Sequence, residues 1–114
     1  MGASPDPERY SNKAVRRLLA AGHRVIPVTR DGSTIEGLES VTSLGQITEK
    51  VDTLTLYVGP AAIAGITGDI LRLRPVRVIM NPGAQSEELK AALDKAKIEW
   101  VEGCTLVMLS TGSF

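Results

Sequence analysis

Cysteine occurs once in these 114 residues, so no disulfide closes within the chain and a disulfide-stapled scaffold is excluded. That usage suits a reducing cytosol, and the cytoplasm is the expected location. No apolar run approaches the roughly 20 residues that span a bilayer. The amino terminus also lacks the charged-then-apolar order of a secretory signal. Neither sign of charge is in excess, with 13 Lys and Arg against 13 Asp and Glu. No global field therefore holds nucleic acid or an acidic membrane, and neither is an expected partner. The basic residues of "RVIPVTR" and "RLRPVR" are too few and too dispersed for a nucleic-acid face. With one histidine, no Ser-His-Asp set can be assembled. No His/Cys/Asp/Glu cluster has metal-ligand spacing, so no metal is expected.

What is present reads as one compact domain. Apolar residues make up 43% and charged residues 23%, close to the average for globular chains. Ala14, Val15, Leu18 and Leu19 fall at helical spacing, which predicts a helix over 11–21 with Ser11 as N-cap and Gly22 just past its end. "HRVIPVT" reads as a short strand, frayed at Pro27, and a further short strand is expected around Glu39 to Val41. "DTLTLYV" reads as a buried strand and "AAIAGITGDILRLR" as a helix over 60–73, weakened by Gly65 and Gly68. "VRVIMN" is another strand. "SEELKAALDKAK" is the clearest helix, over 86–96, with Ser86 as N-cap, acids in its first turn and lysines in its last. "IEWVEG" is a final short strand. The apolar tail "CTLVMLSTGSF" is left unassigned by periodicity.

Strands alternating with helices at this spacing imply βαβ units, a mostly parallel sheet and right-handed crossovers. The fold class is α/β, doubly wound, in a single domain over 1–114. In such sheets a ligand lies beyond the carboxyl ends of the strands. That rule selects the loops Gly2 to Asn12, Thr29 to Ser33, Gly59 to Ala61 and Asn81 to Ala84. The first loop leads into a helix amino terminus, whose free N–H groups favour a phosphate. Arg9, Lys13 and Arg30 lie close by in sequence. Neither a Gly-x-Gly-x-x-Gly fingerprint nor a Gly-Lys-Ser/Thr loop is present, and "VTR" offers no acid for a ribose hydroxyl. A plain nicotinamide cofactor is therefore disfavoured, and a ligand with phosphates near Arg30 fits better.

The stretch "GASPDPERYSNKAVRRLLAAGHRVIPV" closely resembles the small bacterial CoA-binding proteins built on the CoA-binding domain of succinyl-CoA synthetase. The resemblance continues through "VDTLTLYVGP", "VIMNPGAQSEEL" and "VEGCTLVMLSTG", and so covers nearly the whole chain. It implies a Rossmann-like fold that binds coenzyme A or an acyl-CoA without catalysis. Carried over by position, Gly2, Ala3, Ser4 and Pro5 would touch the CoA phosphates and Asn12 would add a polar contact. Arg9 and the Thr29–Arg30 pair would lie beside them. Gly59 and Pro60 would line the nucleotide or the pantetheine arm, and Asn81, Pro82 and Gly83 would close the pocket. The synthetase's phosphorylated histidine belongs to a second domain and does not carry over. The alternative reading is a nucleotide-dependent enzyme, using NAD or NADP, or an acyl-CoA ligase-related subunit. An interaction subunit with an emptied pocket is a third, suggested by the apolar "TLVML".

The departure from the family pattern is at the start. Relatives place a buried strand before Gly-Ala-Ser, and in the order 3-2-1-4-5 that strand is the centre of the sheet. With Met1 alone there, the sheet is expected to have a gap flanked by two unpaired edges. The expectation is a gene start further upstream, with Met1 internal. Otherwise a rearranged sheet or a neighbouring molecule fills the gap, through strand exchange or a homo-oligomer. Of the remaining residues, His23 is expected on the surface and Asp52 at a strand start as a cap or turn residue. Trp100 is expected in the core with Ile98, and Cys104 as a buried structural thiol.

Overall fold

The computed structural model describes residues 1–114. Its centre is three parallel strands, β1 (Thr53–Leu56), β2 (Arg77–Met80) and β3 (Glu99–Glu102), in the order β1-β2-β3. Thr53 pairs with Arg77, and Arg77 with Glu99. Val78, Ile79 and Met80 of the middle strand are fully buried, as expected where helices cover both faces of a parallel sheet.

The first helix, α1 (Tyr10–Ala20), begins one residue earlier than expected, with Arg9 rather than Ser11 at the N-cap. Ser11 is buried, on the helix's inner side. The helix ends as anticipated. Gly22, at φ +86°, donates to Leu19 C=O, and the His23 N–H donates to Leu18 C=O. That pair of bonds is the Schellman arrangement a glycine permits.

The helix expected over 60–73 is in fact two, α2 (Pro60–Ala64) and α3 (Thr67–Leu73). Gly65, poor in a helix interior, sits at the break, where the Thr67 hydroxyl bonds back to Ile63 C=O. The next helix, α4 (Glu87–Ala96), has the expected cap, with the Ser86 Oγ accepting from Leu89 N–H at 3.1 Å. The unassigned tail forms α5 (Thr105–Thr111), which packs on α1 while α4 packs on α2 and α3. No helix is long and apolar enough to cross a membrane.

"HRVIPVT" does not form a strand. Its only sheet-like contact is a single parallel bridge between Val28 and Val41, and the strand expected around 39–41 shrinks to that same bridge. The reason is on its other side. Between residues 24–28 and β1 runs a groove of about 540 Å³, where a doubly wound sheet would have its central strand. Only Met1 and Gly2 bridge it. The Met1 amine donates to Thr55 C=O, Tyr57 N–H donates to Met1 C=O, and Gly2 N–H donates to Val28 C=O, at 3.0, 3.0 and 3.1 Å. The expected gap is thus present.

Trp100 is half-buried rather than core. Its indole N–H donates to Asp94 at 2.8 Å and the Lys90 ammonium lies over its ring, while Ile98 is buried. Cys104 is half-buried too, as the N-cap of α5. His23 is exposed as expected, edge-on to Phe114. Asp52 is exposed beside the Thr53 hydroxyl, which donates to it.

Candidate functional site

The carboxyl ends of the strands gather the expected loops. Gly2 and Ala3 both donate to Val28 C=O, at 3.1 and 3.0 Å, which ties the first loop to the Thr29–Arg30 loop. On its other side Gly2 lies against the end of β1. A methyl group there would meet Val58 Cγ1 at 2.9 Å and the Tyr57 carbonyl oxygen at 3.0 Å. Gly2 has φ +86°, a conformation glycine adopts without steric cost. Both the close approach and the backbone shape therefore require this residue.

The loop is held from within. Asp6 N–H donates to the Ser4 hydroxyl and Glu8 N–H to the Asp6 carboxylate, Asx- and Ser-type turns that need no outside partner. Asn12 is 0% exposed. Its Nδ2 donates to Ser4 C=O at 2.9 Å and to the Glu36 carboxylate at 3.3 Å, and its Oδ1 accepts from Arg16 Nε. Arg16 also reaches Pro7 C=O. The side chain of Asn12 is thus a clamp on the loop. Pro5 and Arg9 are exposed at the mouth, and Tyr10 is 69% exposed at the start of α1.

Thr29 is buried, its hydroxyl accepting from Gly32 N–H at 2.8 Å and bonding to Ser40, which donates to Ser33 C=O. Arg30 stands exposed on this braced turn. Beside it the Ser33 hydroxyl and N–H hold the Asp31 carboxyl below its usual range. Gly59 and Pro60 form the N-cap and first residue of α2, both at the surface. Pro82 and Gly83 are exposed, with Gly83 at φ +89°. Asn81 is different, being 1% exposed. Its Nδ2 donates to the Thr55 hydroxyl and to Leu56 C=O, and its Oδ1 accepts from Thr105 N–H and Oγ1, all within 2.9 Å. This side chain joins β1, β2 and α5 and is fully occupied in doing so.

Several residues had no sequence signal. Glu36 reaches the loop only because the 35–38 turn folds back on it, with Glu36 at φ 48°. Tyr57 and Val58 form the wall beside Gly2. The Tyr57 hydroxyl is buried without a hydrogen bond, and burial pushes its pKa up.

The arrangement can cradle a phosphate: a glycine loop is pinned between the end of β1 and the Val28 carbonyl, and the segment after it leads into the amino terminus of α1. The model of the CoA binding domain matches residues 1–110. The chain belongs to the CoA binding domain family. A crystal structure of an uncharacterized protein is similar at 44% identity and TM-score 0.94, covering 99% of this chain and 93% of that one. A Thermus thermophilus protein is similar at 33% identity and TM-score 0.91, covering 100% of this chain and 87% of that one. The dinucleotide-forming acetyl-coenzyme A synthetase 1 of Ca. Korarchaeum cryptofilum, solved with phosphate and ADP, shares the fold. It has 20% identity and TM-score 0.73, over 88% of this chain and 24% of that one.

Proposed function

We propose that this CoA-binding domain takes coenzyme A or an acyl-CoA as a bound ligand, without turning it over, in the cytoplasm. The observation that carries the reading is Gly2, held between the Val28 carbonyl and Val58 in the loop that leads to α1, in a chain matched by the CoA binding domain over 1–110. The phosphates would lie beside the Gly2–Pro5 turn, where the Ser4 N–H is free while those of Gly2 and Ala3 hold Val28 C=O, and on the first turn of α1, with Arg9 and Arg30 supplying charge. Gly59, Pro60, Pro82 and Gly83 would line the pantetheine arm. Asn12, Thr29 and Asn81 act from behind. Their polar atoms are occupied in holding the loops, so they shape the site rather than carry out chemistry in it. That division supports a binding role.

Thermal unfolding against CoA, acetyl-CoA, NAD, NADP and ATP tests this. At a hundred times its dissociation constant a ligand adds about 2.7 kcal/mol of stability. CoA and acetyl-CoA should stabilise the protein and remain chemically intact. Stabilisation by NAD or NADP alone, or consumption of the acyl-CoA, would overturn the reading.

Arg30→Glu reverses a charge on an exposed, braced turn. It should weaken CoA binding by about 1.5–3 kcal/mol, tenfold or more, and leave the melting temperature unchanged. Unchanged affinity by calorimetry would remove Arg30 from the site.

A further inference from the structure

Three non-glycine residues have positive φ: Glu36, Arg74 and Lys97. Arg74 and Lys97 are the C-caps of α3 and α4, where a left-handed residue ends a helix. Glu36 is different. At φ 48° it opens a two-residue turn with Gly37, at φ +80°, and Ile35 and Leu38 close that turn with paired bonds of 3.0 and 2.8 Å. Positive φ at both central residues favours Asn, Asp or Gly at the first of them, and a long side chain there carries strain. The turn is also fixed. Ile35 is 0% exposed, and Ser40, just past it, bonds the Thr29 hydroxyl and Ser33 C=O. Glu36 and Arg30 thus stand on neighbouring turns of one braced unit.

The strained turn aims the exposed Glu36 side chain at the first loop. Its Oε2 accepts from Asn12 Nδ2 at 3.3 Å, and the same nitrogen donates to Ser4 C=O at 2.9 Å. Asn12 is held from behind by Arg16 Nε, also at 2.9 Å, so its amide is a fixed mark for the carboxylate. None of the ion pairs in the molecule includes Glu36. An unneutralised carboxylate therefore borders the loop beside which the phosphates would lie. It repels a phosphate and is a strong acceptor toward a hydroxyl. In doubly wound folds an acid that follows the phosphate loop in the chain takes a ribose hydroxyl. "VTR" holds no such acid, and the 35–38 turn brings one.

We propose that Glu36 reads the ribose of the ligand. Its carboxylate accepts from the adenosine 2′-hydroxyl and turns away a 2′-phosphate, while Arg30, on the neighbouring turn, is the cation for the 3′-phosphate of CoA. The inference rests on the CoA reading of the same site and adds to it a residue that sets specificity. Glutamine at this position would keep the bond from Asn12 and lose only the charge.

Calorimetric titration with adenosine 3′,5′-bisphosphate, the nucleotide half of CoA, and with its 2′,5′ isomer tests this. The two isomers carry the same charge, so general attraction to basic residues cancels. The parent protein should bind the 3′,5′ isomer at least tenfold more tightly. Glu36→Gln should cut that ratio to threefold or less, chiefly by binding the 2′,5′ isomer better. Glu36→Gly should also lose the discrimination and melt no lower than the parent, since glycine takes that backbone shape without strain. Equal affinities of the two isomers in the parent, or binding of neither while CoA itself binds, would overturn the role of Glu36 alone. So would an equal loss for both isomers in either variant, or a glycine variant that melts lower, the mark of a residue that only braces the loop. Binding of neither isomer and no CoA would overturn the CoA reading as well.

Discussion

Gly2→Ala is expected to lower stability by about 2 kcal/mol or more and to weaken CoA binding at least tenfold. Two costs add. A non-glycine residue at φ +86° loses roughly 1–2 kcal/mol in the left-handed region. The new methyl would also stand 2.9 Å from Val58 Cγ1 and 3.0 Å from the Tyr57 carbonyl, and the latter, being backbone, cannot turn aside. The loop must lift from the end of β1, and the Ser4 N–H proposed to meet a phosphate moves with it. Gly22→Ala is the control, because Gly22 has the same φ of +86° and nothing within 4 Å of an added Cβ. It should lose only the backbone cost and keep its affinity. Calorimetric titration of both variants separates the effects; equal CoA affinities in the two would show that the Gly2 loop does not hold the ligand.

Asn81→Ala should lower stability by about 2–3 kcal/mol. It leaves the Thr105 N–H without a partner and takes one bond each from Leu56 C=O and the Thr55 and Thr105 hydroxyls, which keep the residue-81 N–H and each other; a buried group left unpaired costs about 1–3 kcal/mol. A loss of that size is a large part of the 5–15 kcal/mol that holds a typical domain together. Asn81→Asp therefore accompanies it. The aspartate still accepts from Thr105 but sets an oxygen against Leu56 C=O, so an intermediate loss is expected, with α5 still docked. Urea melts decide. An alanine variant within about 0.5 kcal/mol of the parent would show that the hub is not what joins α5 to the sheet.

The contrast between Gly2 and Asn81 shows what was legible from sequence. Gly2 stands in a Gly-Ala-Ser loop ahead of a helix, and the order of elements with the family resemblance places it at the carboxyl ends of the strands, where the structure has it against the end of β1. The alternation of "DTLTLYV", "VRVIMN" and "IEWVEG" with capped helices likewise gives the parallel sheet, although only the middle strand carries the continuous run that burial on two faces leaves. Asn81 also lies at a strand end, but which way its side chain turns depends on Thr105, 24 residues on. Glu36 meets Asn12 through a turn with no periodicity to announce it. "HRVIPVT" has strand composition and lacks strand structure, because a strand is a property of two edges and one of its neighbours is a groove. The tail "TLVML", which periodicity leaves unassigned, forms α5 against α1 with Val107 still exposed.

The central claim is that CoA lies across the carboxyl ends of the strands. Backbone amide spectra of the isotope-labelled 114-residue protein, titrated with CoA, test it most directly. The account requires the largest shifts at Gly2, Ala3, Ser4, Arg30, Gly59 and Gly83, saturating together, while Val25, Ile26 and Thr53 at the groove stay still. Shifts centred on that groove, or none at millimolar CoA, would contradict it.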